Sequence, residues 1–296
     1  MGSGAWTTSC YVDSLVDRGF SKKAVADAST RFATMDCMST DQVYTCRELH
    51  PDLDPHGVVR ECCDSEEHPN TVPVIFALDV TGSMGPTARA CAAQINEIIT
   101  SLNKDYPDVQ FMTMGIGDFA CDNAPLQVSQ FESDTRIFDQ MMNIYFEGGG
   151  GGNSYESYTA AWYFGLHQCK LDCWKRGKKG IIITMGDEPL NPYLPGRRLH
   201  SVTGGPSQDV GTHELYKEVC EKYDVYHLAI KDGRNSYRHY ENAIQNSFGD
   251  LLGDHLIVST INELPQKVAA IVASANTNTE TSFTFVMRDE NGEISW

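Results

Sequence analysis

Residues 72–84 read VPVIFALDVTGSM, and this stretch sets what the surrounding chain can fold into. Its first seven residues are all apolar, a run typical of a parallel strand that is buried on both faces. Asp79 follows directly, and Thr81 and Ser83 occupy alternate positions of the next turn. Because ligands of doubly wound α/β folds bind at the carboxyl ends of strands, the stretch predicts both a parallel sheet and the place of its site.

The alternation of strand and helix continues from this stretch to about residue 275. Strands are predicted at 72–80, 109–116, 126–131, 180–184, 225–230 and 256–259. Helices are predicted at 86–102, 135–146, 154–170, 214–223, 237–248 and 262–274. Repeated βα units of this kind predict an α/β fold with a doubly wound, mostly parallel sheet. We assign residues 72–275 to this domain and residues 276–296 to a tail or one added strand.

The chain before residue 72 has a different composition. Residues 1–50 predict a small segment of three short helices, at 12–20, 22–32 and 40–49. Residues 51–71 are rich in Pro, His, Asp and Glu and have no periodicity, which predicts a linker.

The strongly acidic composition of the chain excludes some classes of binding partner. The chain has 40 acidic and 23 basic side chains and a formal net charge of −17, which opposes binding to nucleic acids and to anionic membranes. No apolar run reaches the roughly 20 residues that span a bilayer, and the first residues lack the order of a secretory signal. We therefore expect a cytoplasmic protein whose ten cysteines are mostly reduced thiols.

The turn after the first buried strand offers ligands for a metal ion. A carboxylate and two hydroxyls, from Asp79, Thr81 and Ser83, can face one point, and Mg²⁺ and Ca²⁺ prefer such hard oxygen ligands. Taken alone, the stretch equally fits a hydroxyl-rich helix N-cap beside a solvent-exposed Asp79.

Two further loops at strand ends favour the metal. The strand at 180–184 is followed by Asp187, which adds a second carboxylate at the same edge of the sheet. Five glycines at 148–152 bring Asn153, Ser154 and Glu156 to the start of the next predicted helix. A flexible linker at this point would be costly in entropy, so we expect the glycines to allow a close approach of the backbone to an ion or a partner.

The order of these loops resembles the metal-ion-dependent adhesion site of the von Willebrand factor A family, over about residues 72–275. The resemblance implies that Asp79, Thr81, Ser83 and Asp187 hold Mg²⁺, or else Mn²⁺ or Ca²⁺. The family commonly has Thr as a middle ligand, and this chain has Asn153 and Ser154 there instead. The resemblance implies five metal ligands, which are Asp79, Thr81, Ser83, Asn153 and Asp187. Three further residues are candidates for a ligand or for a contact with a ligand, namely Ser154, Glu156 and Asp118.

Such a site implies a function in binding. Two carboxylates leave the ion incompletely neutralised, so an acidic side chain of a protein partner can complete its coordination. On this interpretation the chain is a metal-dependent protein-binding module and not an enzyme.

Part of the amino-terminal segment resembles a ubiquitin-associated domain. The stretch 12–20 ends in Gly19-Phe20, which is similar to the Gly-Phe turn of that family, although Arg18 replaces its usual apolar residue. The resemblance implies ubiquitin as a partner, contacted through Gly19 and Phe20. A generic helical appendage remains open as the alternative.

The competing function is enzymatic. The sequence from Asp79 to Ser83 also resembles the phosphorylation motif of haloacid-dehalogenase-like phosphatases, in which the Asp is the nucleophile. Asp187 would then hold Mg²⁺, and Lys178 or Lys179 would steady the phosphoryl group. No cap insertion follows the first strand, and the five glycines have no role in such an enzyme.

Overall fold

The computed structural model describes residues 44–134, 136–148, 153–276, 287–288 and 294–295. The strands of these residues, in chain order, are β1 (Arg60–Cys62), β2 (Val72–Asp79), β3 (Val109–Ile116), β4 (Leu126–Val128), β5 (Cys169–Leu171), β6 (Gly180–Gly186), β7 (Tyr193–Leu194), β8 (Val210–Gly211), β9 (Tyr223–Ile230), β10 (Leu256–Ser259), β11 (Met287–Arg288) and β12 (Ile294–Ser295). The α-helices are α1 (Pro86–Asp105), α2 (Arg136–Met142), α3 (Thr159–Gln168), α4 (Gly196–Thr203), α5 (Thr212–Val219), α6 (Tyr237–Leu252) and α7 (Leu264–Asn276). Short 3-10 helices lie at Pro51–Leu53, Asp172–Arg176, Gly253–His255 and Ile261–Glu263.

A six-stranded sheet in the order β10-β9-β6-β2-β3-β4 forms the centre of the molecule. Neighbouring strands are parallel from β10 to β3, and only the pairing of β3 with β4 is antiparallel. The sheet order changes direction around β2, because β3 lies on one side of it and β6 on the other. This point is where a doubly wound sheet opens a crevice for a ligand.

Both faces of the sheet are covered, because side chains of β2 alternate between two apolar cores. Val74, Phe76 and Leu78 pack on one face with α1, α2 and α7. Ile75 and Ala77 pack on the other face with α3, α4, α5 and α6. The α/β, mostly parallel fold expected from the sequence is therefore confirmed, and β2 lies at its centre.

Several predicted elements have other bounds in the structure, and two of the differences bear on the approach to the candidate site and on the sheet edge. The strand predicted at 126–131 is confined to Leu126–Val128 and runs antiparallel. The helix predicted at 154–170 begins only at Thr159 and ends at Gln168. Ser154 has a positive φ of 62°, and Glu156 forms a β-bridge to Leu190, so neither residue is helical. The approach to α3 is therefore a loop held in place by its neighbours.

The stretch 51–71, predicted to be an aperiodic linker, contains β1, which pairs in parallel with β5. Arg60 in β1 is 7% exposed, and its guanidinium donates to the carbonyl oxygens of Asp52 and Val128. No local pattern indicated this strand, because its partner lies far along the sequence. Part of the stretch therefore packs on the α/β domain.

The predicted helices at 12–20 and 22–32 lie outside the described residues, as do Gly19 and Phe20. The helix predicted at 40–49 is wrong over its described part, because residues 44–49 are not helical. Within the described chain, none of the helices combines the length and apolarity needed to cross a membrane.

Candidate metal centre

Asp79 and Asp187 lie next to each other at the carboxyl ends of neighbouring strands. Asp79 is the last residue of β2, and Asp187 follows the last residue of β6. The two strands pair directly, with Leu78 opposite Met185. Both carboxylates are fully buried at 0% exposure. The fold thus brings the two predicted carboxylates to one point.

Two hydroxyls connect the carboxylates. The Thr81 hydroxyl donates to Asp79 Oδ1 over 2.6 Å, and the Ser83 hydroxyl donates to Asp187 Oδ1 over 2.9 Å. The two hydroxyl oxygens are 3.1 Å apart, so the four side chains form one continuous network. Ser83 is half-buried and Gly82 beside it is exposed, which opens this side of the network to the surface.

The N-cap interpretation of this turn is wrong. Helix α1 begins after Gly85, and no side-chain hydrogen bond caps it. The Thr81 and Ser83 hydroxyls bond to carboxylates instead, and Asp79 is buried where that interpretation needs it exposed.

Further donors hold the two carboxylates from outside the predicted motif. The Tyr158 hydroxyl donates to Asp79 Oδ2 over 2.7 Å, and the backbone N–H of Ser236 donates to Asp187 Oδ2 over 2.6 Å. Neither residue was predicted from the sequence. Tyr158 has the pattern of a core aromatic, and a backbone donor carries no signal in its side chain. Each acidic residue therefore has its orientation set by a second, distant segment.

Asn153 and Asp118 form a separate pair. The Asn153 amide donates to Asp118 Oδ2 over 2.6 Å, and Asp118 Oδ1 accepts from the backbone N–H of Ala120. Among the described residues, no hydrogen bond links Asn153 to Asp79 or Asp187. The structure thus groups four of the five primary candidates and places Asn153 with Asp118.

The remaining loop candidates differ in their environments. Ser154 is exposed, whereas Glu156 is only 3% exposed and its Oε2 atom has no hydrogen-bond partner. The Gly148 N–H donates to the Val80 carbonyl over 3.4 Å, so the glycine run starts beside the Asp79 turn. Residues 149–152 lie outside the described residues, so an approach of this run to an ion or a partner stays a prediction.

The acidic side chains of the centre have raised pKa values and no basic partner among the described residues. Burial raises the pKa of Asp79 well above its ordinary value, and the neighbouring Asp187 raises it further. Burial likewise raises the pKa of Asp187 and that of Glu156. For Glu188, burial and then Asp187 raise the pKa to about 7. In the described part of the chain, none of the ion pairs includes any of these four acids, so positive charge from outside the chain would stabilise their ionised forms.

The described residues contain no group of three or more His, Cys, Asp or Glu side chains placed to hold a metal ion. The centre instead offers two carboxylates and two hydroxyls. All four donors are hard oxygens, which suit Mg²⁺, Mn²⁺ and Ca²⁺ and do not suit a thiol-preferring ion.

The two lysines that the phosphatase interpretation needs lie at the wrong end of the sheet. Lys178 and Lys179 precede β6, and they line a cavity with Asn70 and Val72 at the amino ends of the strands. The length of β6 separates both lysines from Asp187 by at least about 25 Å. Neither lysine can steady a phosphoryl group on Asp79.

No family model matches the sequence, and no curated protein matches it. Among solved structures, the chain is similar to the pilus adhesin SpaC from Lactobacillus rhamnosus GG, with 12% identity, a TM-score of 0.45 and coverage of 75% of this chain and 31% of the adhesin. It is also similar to the vWF domain of the type V pili tip protein Mfa5 from Porphyromonas gingivalis, with 11% identity, a TM-score of 0.45 and coverage of 73% and 98%. A third likeness is to the SpRpn10 VWA domain, with 13% identity, a TM-score of 0.40 and coverage of 64% and 87%. The chain spans about a third of the length of the SpaC adhesin, and likenesses this distant carry no functional conclusion.

Proposed function

We propose that residues 72–275 form a metal-binding domain of the von Willebrand factor A type, and that its ion bridges the chain to an acidic side chain of a protein partner. The observation that carries this proposal is the cluster in which the Thr81 hydroxyl bonds to Asp79, the Ser83 hydroxyl bonds to Asp187, and the two hydroxyl oxygens lie 3.1 Å apart. These residues come from two neighbouring strand ends, where ligands of this fold class bind.

The chemistry of the network fits a divalent cation. When the carboxylates are ionised, the Thr81 hydroxyl donates a hydrogen bond to Asp79 and the Ser83 hydroxyl donates one to Asp187. Each hydroxyl oxygen then keeps a lone pair for an ion. Two buried negative charges without a basic partner are costly, and a bound cation would offset that cost. Mg²⁺ is the ion that we expect, with Mn²⁺ and Ca²⁺ as substitutes.

The coordination would remain incomplete without a partner. Mg²⁺ takes about six oxygen ligands, and the network supplies four donors at most. The remaining positions, on the side of Gly82 and Ser83, would be filled by water or by a carboxylate from a partner. Because the chain has a net charge of −17, an acidic group reaches this site more easily when basic residues flank it.

A binding role fits the environment of Asp79 better than a role as nucleophile. Asp79 is fully buried, and its two oxygens accept hydrogen bonds from Thr81 and Tyr158. These bonds hold the carboxylate in one orientation, whereas a nucleophile must reach a substrate. We therefore propose that the domain does not turn over phosphoesters.

The test is a calorimetric titration with Mg²⁺, followed by a screen of peptides that carry one Glu or Asp flanked by Lys or Arg. We expect Mg²⁺ to bind the wild type, and selected peptides to bind in Mg²⁺ and not in EDTA. Asp79→Ala should lose both, whereas Asp64→Ala, at the opposite end of the sheet, should keep both. Equal Mg²⁺ binding by wild type and Asp79→Ala would place the ion elsewhere and end the proposal. Phosphoester turnover that disappears in Asp79→Asn would replace it with the enzyme.

A further inference from the structure

Tyr158 occupies a position between the two ligand-bearing strands. Its hydroxyl donates to Asp79 Oδ2 over 2.7 Å and accepts a longer bond, of 3.4 Å, from the backbone N–H of Glu188. Asp79 ends β2, and Glu188 directly follows Asp187 after β6. One buried oxygen therefore ties both sides of the candidate centre together.

The ring of Tyr158 is fixed by packing. His227 packs edge-on against it with ring centroids 4.9 Å apart, and the ring of Phe248 lies 5.7 Å away. Tyr158 itself is 0% exposed. A phenylalanine would fill the same space, so packing alone does not account for a hydroxyl at this buried position. A buried hydroxyl is costly unless it is hydrogen-bonded, and here its bond goes to Asp79.

Gly186 provides the space for that hydroxyl. A Cβ atom at Gly186 would overlap the Tyr158 hydroxyl oxygen, and it would also lie 2.6 Å from the ring carbon that bears the oxygen. The glycine is the last residue of β6, directly before Asp187. Strand interiors disfavour glycine, so its presence is explained by the close approach of the tyrosine.

We propose that Tyr158 is a positioning residue of the metal centre, which fixes the carboxylate of Asp79 and the spacing between the ends of β2 and β6. The inference rests on the proposed metal function. Thr81 holds Oδ1 of Asp79 and Tyr158 holds Oδ2, so the carboxylate cannot turn about its bond to the side chain. The bond from Glu188 then keeps the Asp187 segment at a set distance from Asp79.

A fixed spacing has a consequence for ion preference. Mg²⁺ requires near-ideal geometry at about 2.0–2.1 Å, whereas Ca²⁺ accepts irregular geometry at about 2.3–2.6 Å. A centre that loses the Tyr158 hydroxyl should therefore lose affinity for Mg²⁺ more than affinity for Ca²⁺. A role in packing alone would leave this ratio unchanged.

The experiment compares Tyr158→Phe with Tyr223→Phe in the full chain. Tyr223 is a suitable control because it is also fully buried, and its hydroxyl donates to the Gly165 carbonyl over 2.8 Å, away from the centre. Both variants keep the ring. Tyr223→Phe loses one buried hydrogen bond, and Tyr158→Phe loses the bond to Asp79 together with the longer bond from Glu188. Calorimetric titration with Mg²⁺ and with Ca²⁺ is paired with a melting curve in EDTA, which measures the metal-free fold.

Tyr158→Phe should weaken Mg²⁺ binding about tenfold, the loss typical when a residue that orients a metal ligand is removed, with a smaller loss for Ca²⁺. Tyr223→Phe should bind both ions as the wild type does. Gly186→Ala displaces the hydroxyl from the other side and should also weaken Mg²⁺ binding.

Two failures can be told apart. If Asp79→Ala loses Mg²⁺ while Tyr158→Phe and Tyr223→Phe bind it equally well, the metal centre stands and the role of Tyr158 is refuted. If Asp79→Ala also binds Mg²⁺ like the wild type, the proposed function fails and the inference fails with it. An equal loss of Mg²⁺ and Ca²⁺ affinity in Tyr158→Phe would refute the control of spacing.

Discussion

The buried acids Asp79 and Asp187 at the carboxyl end of the central sheet have no basic partner among the described residues, in contrast to the acids at its amino end. At the amino end, Arg176 forms an ion pair with Asp64 and also donates to the carbonyl of Thr71. Lys175 donates to Asp172 over 2.6 Å, and Lys179 lies 3.4 Å from Asp224. The acids of this end are thus neutralised by the chain itself.

At the carboxyl end, Asp79 and Asp187 are buried with hydroxyl and backbone donors only. The pKa values of the two ends differ accordingly. The bond from Lys175 lowers the pKa of Asp172, whereas burial raises that of Asp79. For Asp64, burial also acts to raise the pKa, but bonds from Thr71 and Arg176 outweigh it and leave the value lowered. Aspartates at the amino end therefore stabilise the fold through ion pairs, whereas we propose that Asp79 and Asp187 at the carboxyl end bind a cation.

The largest expected difference concerns the response to metal. Mg²⁺ at a hundred times its Kd should raise the free energy of unfolding of the wild type by about 2.7 kcal/mol. Asp79→Ala should lose this response, while Asp64→Ala should melt lower than the wild type and keep the response in full. Melting curves in Mg²⁺ and in EDTA provide the measurement. An undiminished response in Asp79→Ala would remove the distinction between the two ends.

A smaller effect is expected from pH in the metal-free protein. Glu188 has a folded-state pKa of about 7 against an ordinary 4.5, so the native state holds more protons than the unfolded state between these values. The free energy of unfolding should therefore fall as the pH rises from about 4.5 to about 7, and the raised pKa values of Asp79 and Glu156 should continue the fall above that range.

Urea unfolding in EDTA at several pH values tests this expectation. Glu188→Gln should reduce the slope between the two pKa values, and added Mg²⁺ should reduce it further. At the amino end the sign is reversed. The lowered pKa of Asp172 stabilises the folded protein at neutral pH, and this contribution is lost as the pH falls below the ordinary value of 3.8. If the free energy of unfolding in EDTA rises with pH between about 4.5 and 7, the acids at the carboxyl end are not buried without a basic partner.

Arg176→Met should lower the free energy of unfolding by about 1–2 kcal/mol, since it leaves Asp64 and the Thr71 carbonyl without their charged donor. The side chains of this pair are only 26% and 29% exposed, so water replaces the lost contacts incompletely. The Mg²⁺-induced rise in stability should not change. A weakened Mg²⁺ response would mean that the two ends are coupled through the sheet.

The smallest effect is expected for Lys170→Met, which removes the ion pair with Glu61. The side chains of this pair are 70% and 54% exposed, and such pairs contribute at most about 0.5–1 kcal/mol. Urea unfolding should therefore give nearly the wild-type midpoint. A loss as large as that of Arg176→Met would show that exposure does not separate these two contacts.

The sequence was most informative where fold and chemistry are local. Strand β2 and the turn that follows it could be predicted because apolar residues, Asp79, Thr81 and Ser83 lie within thirteen positions. Asp187 could be placed because a parallel sheet brings strand ends together. Contacts between distant segments were not predictable in this way. Tyr158 reaches Asp79 across 79 positions of sequence, and the pairing of β1 with β5 spans a larger gap.

The loop before α3 shows a different reason for failure. Residues 154–170 have the composition of one continuous helix, and the prediction followed it. The structure interrupts that helix because the backbone of Glu156 bonds to Pro189 and Asn191. Tertiary contacts thus override local propensity at the approach to the candidate site.

The parallel pairing of β1 with β5 also affects the order in which the chain can fold during synthesis. During synthesis, residues 60–62 leave the ribosome long before residues 169–171, and the strand has no partner until then. Closing so long a loop is slow, and an unpaired strand in a nascent chain is exposed to wrong partners meanwhile. Strand β1 has only three residues, and the middle one, Glu61, is charged and exposed. Until β5 is made, the unpaired strand is therefore a poor template for aggregation.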